Sequence, residues 1–489
     1  MPIHTTNRKL LYLIAGLIFL ALLIATRFLN LSQTARFTND ESSDLARMYQ
    51  LGHNFKITLV GPISNDNSKV FGSLTYYLLL PATMILNYSA VSPSVGMAFW
   101  SCITAILLVI LAYLENKKLW MLVAVLSIIW YPLLETGRWG WNPHLMPLWI
   151  IGGLLLYKLA RARNTLLLFL VSGVAFGLSV HHHYVAIVAI LGFVLGEVLQ
   201  IIPKKIDFRQ QLTRCAVVVA GILVALSPFL LFDLRHPPGL FLTRYLQPGV
   251  TPNIATNSST SYFERLSTSV TGNAVYLSGE GFFVWLFAGL FIFLIVRDWR
   301  QDKKSLLRLV PVILQLVAVS FLDTFATRYF LPAIPFVLYW ILYPRVDFLS
   351  HRISQAVLVT MIVASIFVSP ALLVETRIQP TPDAFDKIVS QIRQSMLESP
   401  TKDVNIAVLA SPDGAPLGES YRNILGMHGV ALKQPSEYDT SSRLFVISTS
   451  SEAVVRADQS IAMIFFRDVP TLKSYQIDGT DWNIYWLQK

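Results

Sequence analysis

Apolar runs of about twenty residues recur along roughly the first 375 positions of this chain of 489 residues. Each is long enough to cross a hydrocarbon core ~30 Å thick, because an α-helix rises ~1.5 Å per residue. One soluble core cannot bury so many of them. Only 14% of the residues are charged and 54% are hydrophobic, against about 25% charged in ordinary globular proteins. A water-soluble fold is therefore not expected, and a multi-pass membrane protein embedded in a lipid bilayer is.

The net charge of +10 would raise the question of nucleic acid in a soluble protein. Here the Lys and Arg collect between apolar runs, as cytoplasmic loops require, so the charge reads as topology and no nucleic-acid partner is expected. Cys102 and Cys215 lie in apolar segments and suggest neither a disulfide framework nor a CxxC metal site. The first run, 10–29, follows Arg8 and Lys9, is longer than a signal-peptide core and has no clear small-residue cleavage site. It reads as a signal-anchor helix that leaves the N-terminus cytoplasmic.

The first helix then runs outward and leaves residues 30–93 outside, with the aromatic stretch 71–88 lying along the interface or re-entering. Ten further runs alternate in direction: 94–114, 119–134, 145–157, 165–180, 184–202, 212–232, 281–296, 306–322, 329–344 and 354–374. Every dense basic cluster falls on the inner side, among them Lys117 and Lys118, then Lys158, Arg161 and Arg163, and the group from Arg297 to Arg308. The expected fold is an all-α polytopic membrane protein of about eleven transmembrane helices, with juxtamembrane helices in the first outer loop and a small C-terminal α/β extracytoplasmic domain. The division is 1–374 for the membrane domain and 375–489 for the external one, which alternates strand-like runs at 405–409, 444–448, 461–466 and 482–487 with a helix near 418–425. Residues 411–414 read as a turn, and the long outer loop 233–280 as a mobile connector or a gate.

With that threading, nearly all the unusual polar side chains meet on the outer face. They include Asp40, Glu41 and Asp44 after the first helix, the aromatic turn 138–144 (RWGWNPH), the run His181 to Tyr184, then Asp233, Arg235 and His236, and finally Asp323 and Arg328. Ionisable groups at membrane depth are costly, by ~2.5 to 3.5 kcal/mol, so they tend to mark a site. Asp40 and Asp44 are four residues apart and share a face of any short helix there. A carboxylate so placed can take a proton from an attacking hydroxyl, while the blander role for the group is helix capping by Asn39 or Asp40. Arg328 opens an inward-running helix at its outer end, where a guanidinium suits a phosphate or snorkels to lipid headgroups. Three adjacent histidines project about 100° apart on a helix and do not readily ligate one ion, so no metal ligand is assigned. Trp139, Trp141, Asn142 and His144 offer the aromatic faces and amides a sugar ring needs, and Trp is equally an interfacial anchor.

This arrangement resembles the integral-membrane glycosyltransferases of the C-type fold, especially the protein O-mannosyltransferase and lipid A aminoarabinose transferase branch. The likeness rests on Asp40 and Glu41 in the first outer loop and on 72–81 (GSLTYYLLLP), 177–184 (GLSVHHHY) and 328–332 (RYFLP), over roughly residues 8–345. The chain departs from the family in lacking His-Pro-Pro before Tyr76, and in offering Glu135 and Asn142 where a clear acidic pair is usual.

The resemblance implies an inverting transfer of a sugar from a polyprenyl-phosphate-sugar donor to an acceptor hydroxyl outside the cytoplasmic membrane. Asp40 is then the catalytic base and Glu41 orients the acceptor or tunes the charge. Arg328, helped by His183, Tyr184, Arg138 and Arg235, holds the donor phosphate, and Trp139, Trp141, Asn142, His144 and Tyr76 bind substrate. No cofactor is assigned, a divalent metal stays open, and the acceptor is a glycan, a lipid or a protein. A transporter or flippase of lipid-linked saccharides, or a polysaccharide polymerase or ligase, is the alternative. Inverted repeats and mid-membrane charges would mark the first, and a basic late outer loop the second.

Overall fold

The computed structural model describes residues 3–63, 70–200, 208–237, 239–241, 260–322, 326–376, 379–400, 403–409 and 418–489. Each of the eleven expected runs contains a helix. Six of them, Leu10–Thr34, Ser92–Glu115, Asn142–Arg163, Phe208–Arg235, Phe282–Gln301 and Phe348–Val374, are long and apolar enough to span a membrane. Trp120–Ile129 and Tyr131–Gly137 make a seventh if the pair, bent by 48°, is one span. Leu166–His182, Ala186–Leu199, Leu331–Ile341 and Val310–Val319 are shorter. By length and composition, six or seven of the eleven expected runs qualify as full-length spans among the described residues, and the others hold shorter helices. Proline is one physical reason, since it cannot donate to a preceding turn and so starts new helices inside apolar runs, as Pro132, Pro311 and Pro335 do.

The bend in the pair shows how such a break is tolerated. Pro132 has no N–H for the carbonyl of Ile128, and the fully buried Arg27 guanidinium donates to that carbonyl and to Ser127 O at 2.6 Å. The Ser369 hydroxyl donates to Ile129 O at 2.6 Å. Backbone groups freed inside lipid are thus satisfied by neighbouring helices. Close helix packing elsewhere uses missing side chains. A Cβ on Gly173 would lie 2.0 Å from Val218 O, and one on Gly221 2.1 Å from Leu170 O. The helices Leu166–His182 and Phe208–Arg235 therefore touch backbone to backbone, which fixes where His181 to His183 emerge.

The first loop folds into the helix Asn39–Asn54, a hairpin of β1 (Val60–Ile63) and β2 (Val70–Gly72), and the helix Leu74–Ile85. The C-terminal part is a four-stranded sheet in the order β3 (Val404–Leu409), β4 (Arg443–Ser448), β6 (Asn483–Gln488), β5 (Thr471–Gln476), with only β3 and β4 parallel. Period-two alternation sends Ile406 and Val408 to one side and Ala407 and Leu409 to the other. The first side packs against the helices Pro382–Glu398 and Glu419–Met427, and its core runs on without a break into Phe37, Leu45 and Met48 of the juxtamembrane region.

Local details differ from expectation or go beyond it. Residues 461–466 are not a strand; Ile461–Ile464 is a short helix. The run is apolar without alternation, which leaves strand and helix undecided. Strand β5 is polar and largely exposed and gives no apolar signal. The connector 233–280 ends in a 17-residue helix, Tyr262–Ser278, capped by Ser261. The expected turn at 411–414, together with Asp323, lies outside the described residues.

Candidate active site

A cavity of about 1090 Å³ opens between the membrane helices and the C-terminal part, and Asp40, Asp44, Asn142, His183 and Arg328 all line it. Its foundation is the N-terminus of the helix Asn39–Asn54. Thr38 is the cap and Glu41 closes the capping box, its Oε2 accepting from Thr38 N at 2.7 Å and Thr38 Oγ1 at 2.6 Å. Neither Asn39 nor Asp40 is the cap. Glu41 is buried and turned away from the cavity, and Asp40 remains half-buried on its wall.

The turn 138–144 supplies the partners. Gly140 sits so close to Pro93 that a Cβ would lie 2.6 Å from it, so only glycine lets this turn pack against the Ser92–Glu115 helix. Trp139 and Trp141 on either side stack, with ring centroids 4.5 Å apart and planes 12° apart. Trp139 Nε1 donates to Glu41 Oε1 at 2.8 Å, and Trp141 Nε1 donates to Asp40 Oδ2 at 3.1 Å. Each indole of the stack thus holds one of the adjacent carboxylates. Cations close the stack at both ends, Arg36 4.5 Å above Trp139 and Arg328 5.3 Å from Trp141. His144 packs edge-on to both indoles and holds Trp139 O through Nδ1 at 3.0 Å.

Burial raises the Asp40 carboxyl above its ordinary value, opposed by the Trp141 hydrogen bond and the Arg328 charge. Burial raises Glu41 to about 7, and it raises Asp44 well above the ordinary carboxylate range, with the Tyr76 hydroxyl donating at 2.8 Å. Asp44 too has a donor, Tyr76, and a cation, Arg47, opposing its burial, but of the three carboxyls Asp40 alone is less than fully buried and lines the cavity with its donor Trp141 and the Arg328 charge beside it. It is the natural anion of the group.

Other expected residues take different places. Arg138 is not on the cavity wall: its guanidinium caps the end of the first helix, donating to Thr26 O at 3.0 Å, Arg27 O at 3.1 Å and Leu29 O at 2.8 Å. Arg235 is exposed at the end of its helix and outside the lining. Tyr184 donates to Val70 O, fastening the β2 strand, and Tyr76 is buried behind Asp44. His182 accepts from Trp149 Nε1 at 2.9 Å, which leaves Nδ1 to donate to Thr75 Oγ1. No group of three or more His, Cys, Asp or Glu able to hold a metal ion occurs among the described residues.

Two contributions escaped the sequence reading. Ser43 and Arg47 line the cavity on the face that Asp40 and Asp44 occupy, a signal the i, i+3, i+4, i+7 spacing carried. The C-terminal helix Glu419–Met427 and the segment that follows form the opposite wall, including Glu419, Arg422 and Asn423. They are tied to the Asn39–Asn54 helix by Asn39 to Glu419 at 2.6 Å, Ser420 to Asn39 at 2.6 Å and Asn423 to Ser42 at 3.0 Å. Nothing local in that sequence points across the chain to residue 40.

No protein-family model and no curated protein matches the chain. Among solved structures it is similar to ArnT from Cupriavidus metallidurans, a crystal structure with undecaprenyl phosphate bound. The match has a TM-score of 0.57 at 12% identity and covers 98% of each chain. The C-type glycosyltransferase fold expected from the sequence is therefore the fold of this chain, as a polytopic, mainly helical membrane protein.

Proposed function

We propose that the chain is an inverting glycosyltransferase that takes a sugar from a polyprenyl-phosphate carrier and passes it to an acceptor hydroxyl. The observation that carries this reading is the meeting of Asp40 and Arg328 in one cavity, with the Trp141 ring hydrogen-bonded to the first and facing the second. Asp40 takes the proton of the acceptor hydroxyl as its oxygen bonds to the anomeric carbon. The bond from that carbon to the phosphate oxygen breaks on the opposite side, the configuration inverts, and polyprenyl phosphate departs. Arg328 meets the charge that develops on the leaving phosphate.

The fold likeness to a protein holding undecaprenyl phosphate supports the donor class. A carrier of many isoprene units keeps its chain in lipid, at ~0.8 kcal/mol saved per buried CH₂, and needs a site at the membrane surface. Glu41, anchored to Thr38 and Trp139, positions Asp40 from behind. The polar wall of Glu419, Arg422 and Asn423 faces the acceptor side. The even sidedness of the basic clusters supports an extracytoplasmic site and C-terminal domain.

The test is release of polyprenyl phosphate by purified protein from a panel of polyprenyl-phosphate sugars. Turnover of at least one donor is expected, falling about 10² to 10⁴-fold in Asp40→Asn. Full turnover in that variant would remove Asp40 from the mechanism.

A further inference from the structure

A second cavity, of about 380 Å³, lies where the helices Ser92–Glu115, Met146–Arg163 and Ala186–Leu199 end. The stretch Asn142–Arg163 begins in the first cavity at Asn142 and reaches the second at Arg161. Nineteen helical steps of ~1.5 Å put the two about 30 Å apart, one hydrocarbon thickness, on opposite faces of the bundle.

Four cations, Lys158, Arg161, Lys304 and Arg308, line this cavity against two carboxylates, Glu115 and Glu197. The carboxylates are already occupied. Glu115 accepts from Lys158 at 2.7 Å and Arg308 at 3.0 Å, and Glu197 accepts from Tyr157 at 2.6 Å and pairs with Arg161 at 3.4 Å. Arg308 is further fixed over the Tyr339 ring at 3.8 Å and by Tyr339 O at 3.0 Å. Asp302, beside the cavity, is turned to the Tyr343 hydroxyl at 2.7 Å and the Lys304 backbone at 3.1 Å. Asp298 is paired with Arg345 at 2.7 Å. Lys304 forms no ion pair with a described residue.

Sidedness alone explains cations on this face, but solvated loop charges spread apart. Here they converge on a hollow with an aromatic floor and a surplus of two positive charges in its lining. We propose that this cavity binds a phosphate group, carried by an anionic phospholipid headgroup or present as free phosphate. Basic pockets between membrane helices recognise such headgroups, and guanidinium pairs suit phosphate oxygens. The site is separate from the donor phosphate site, a helix length away.

The experiment is thermal unfolding of the full-length protein in neutral detergent, titrated with phosphatidylglycerol, phosphatidylcholine or inorganic phosphate. Stabilisation by phosphatidylglycerol beyond phosphatidylcholine is expected, with apparent affinity weakened about fivefold in Lys304→Gln. Arg161→Gln should weaken it similarly, since Glu197 keeps Tyr157 and Gln211 as donors. An equal effect of inorganic phosphate, also lost in both variants, supports the same site with free phosphate as its source. No shift from either phosphate source beyond phosphatidylcholine, or one unchanged in both variants, overturns the proposal.

Discussion

Trp141 donates its indole N–H to Asp40 Oδ2 at 3.1 Å, and the ring that makes this bond also lies against Arg328. One aromatic side chain therefore touches both the proposed base and the proposed phosphate-binding cation, and its hydrogen bond works against the burial of Asp40.

Trp141→Phe keeps the ring and removes the donor. The hydrogen bond holds the Asp40 carboxyl down against its burial, so its loss raises that carboxyl further. The base must be ionised to act. We predict that the acid limb of the pH–rate profile for polyprenyl phosphate release moves to higher pH, with the rate recovered on the alkaline side. A profile superimposable on that of the wild type would show that Asp40 does not titrate in the reaction.

Arg328→Gln should lower turnover about 10² to 10³-fold, the usual cost of removing one donor to a developing anion. Arg328→Lys should fall between, because an ammonium keeps the charge but not the planar fork. Single-turnover release of polyprenyl phosphate separates this from weaker donor binding. If Lys and Gln perform alike, the guanidinium serves packing against Trp141 and Tyr329.

The membrane helices and the Asp40 and Arg328 positions were legible because hydropathy and charge sidedness are strong, local and one-dimensional signals. Where the helices break was not, since whether Pro132 bends one helix or separates two depends on whether Arg27 arrives to hold the freed carbonyls. The placement of the site residues divided along the same line. Asp40 and Glu41 are adjacent in sequence, yet the capping box takes Glu41 inward and leaves Asp40 on the wall. The helix Pro382–Glu398 did carry its signals, with Thr381 accepting from Ala384 N and Pro382 at the first turn. The wall built by Glu419 to Asn423 depends on contacts across some 380 positions, which no local pattern encodes.

Arg138→Met tests one such reassignment. Its guanidinium holds three carbonyls at the end of the first helix, and hydrogen bonds to a charged group are worth ~1.5 to 3 kcal/mol each. We predict a loss of at least about 3 kcal/mol in stability, read as a lower unfolding temperature, with the donor KM of the folded fraction unchanged. A raised KM at unchanged unfolding temperature would return Arg138 to the phosphate site.

Glu41 makes the fold itself sensitive to pH. Burial lifts its carboxyl from 4.5 to about 7, so between those values the native state keeps a proton that the unfolded chain has released. Its contribution is complete below about 4.5 and is lost as pH rises through 7, a change worth about 3 kcal/mol. Asp44 and Asp386 are raised by burial too and act in the same direction, so the total slope alone does not identify Glu41. Glu41→Gln removes one titration and leaves the others. We predict that the unfolding temperatures of wild type and variant, followed from pH 4.5 to 8, diverge in the wild type's favour at the acid end and converge or cross toward the alkaline end. Parallel curves would mean that Thr38 and Trp139 hold Glu41 as an anion throughout, with the capping box outweighing the cost of burial.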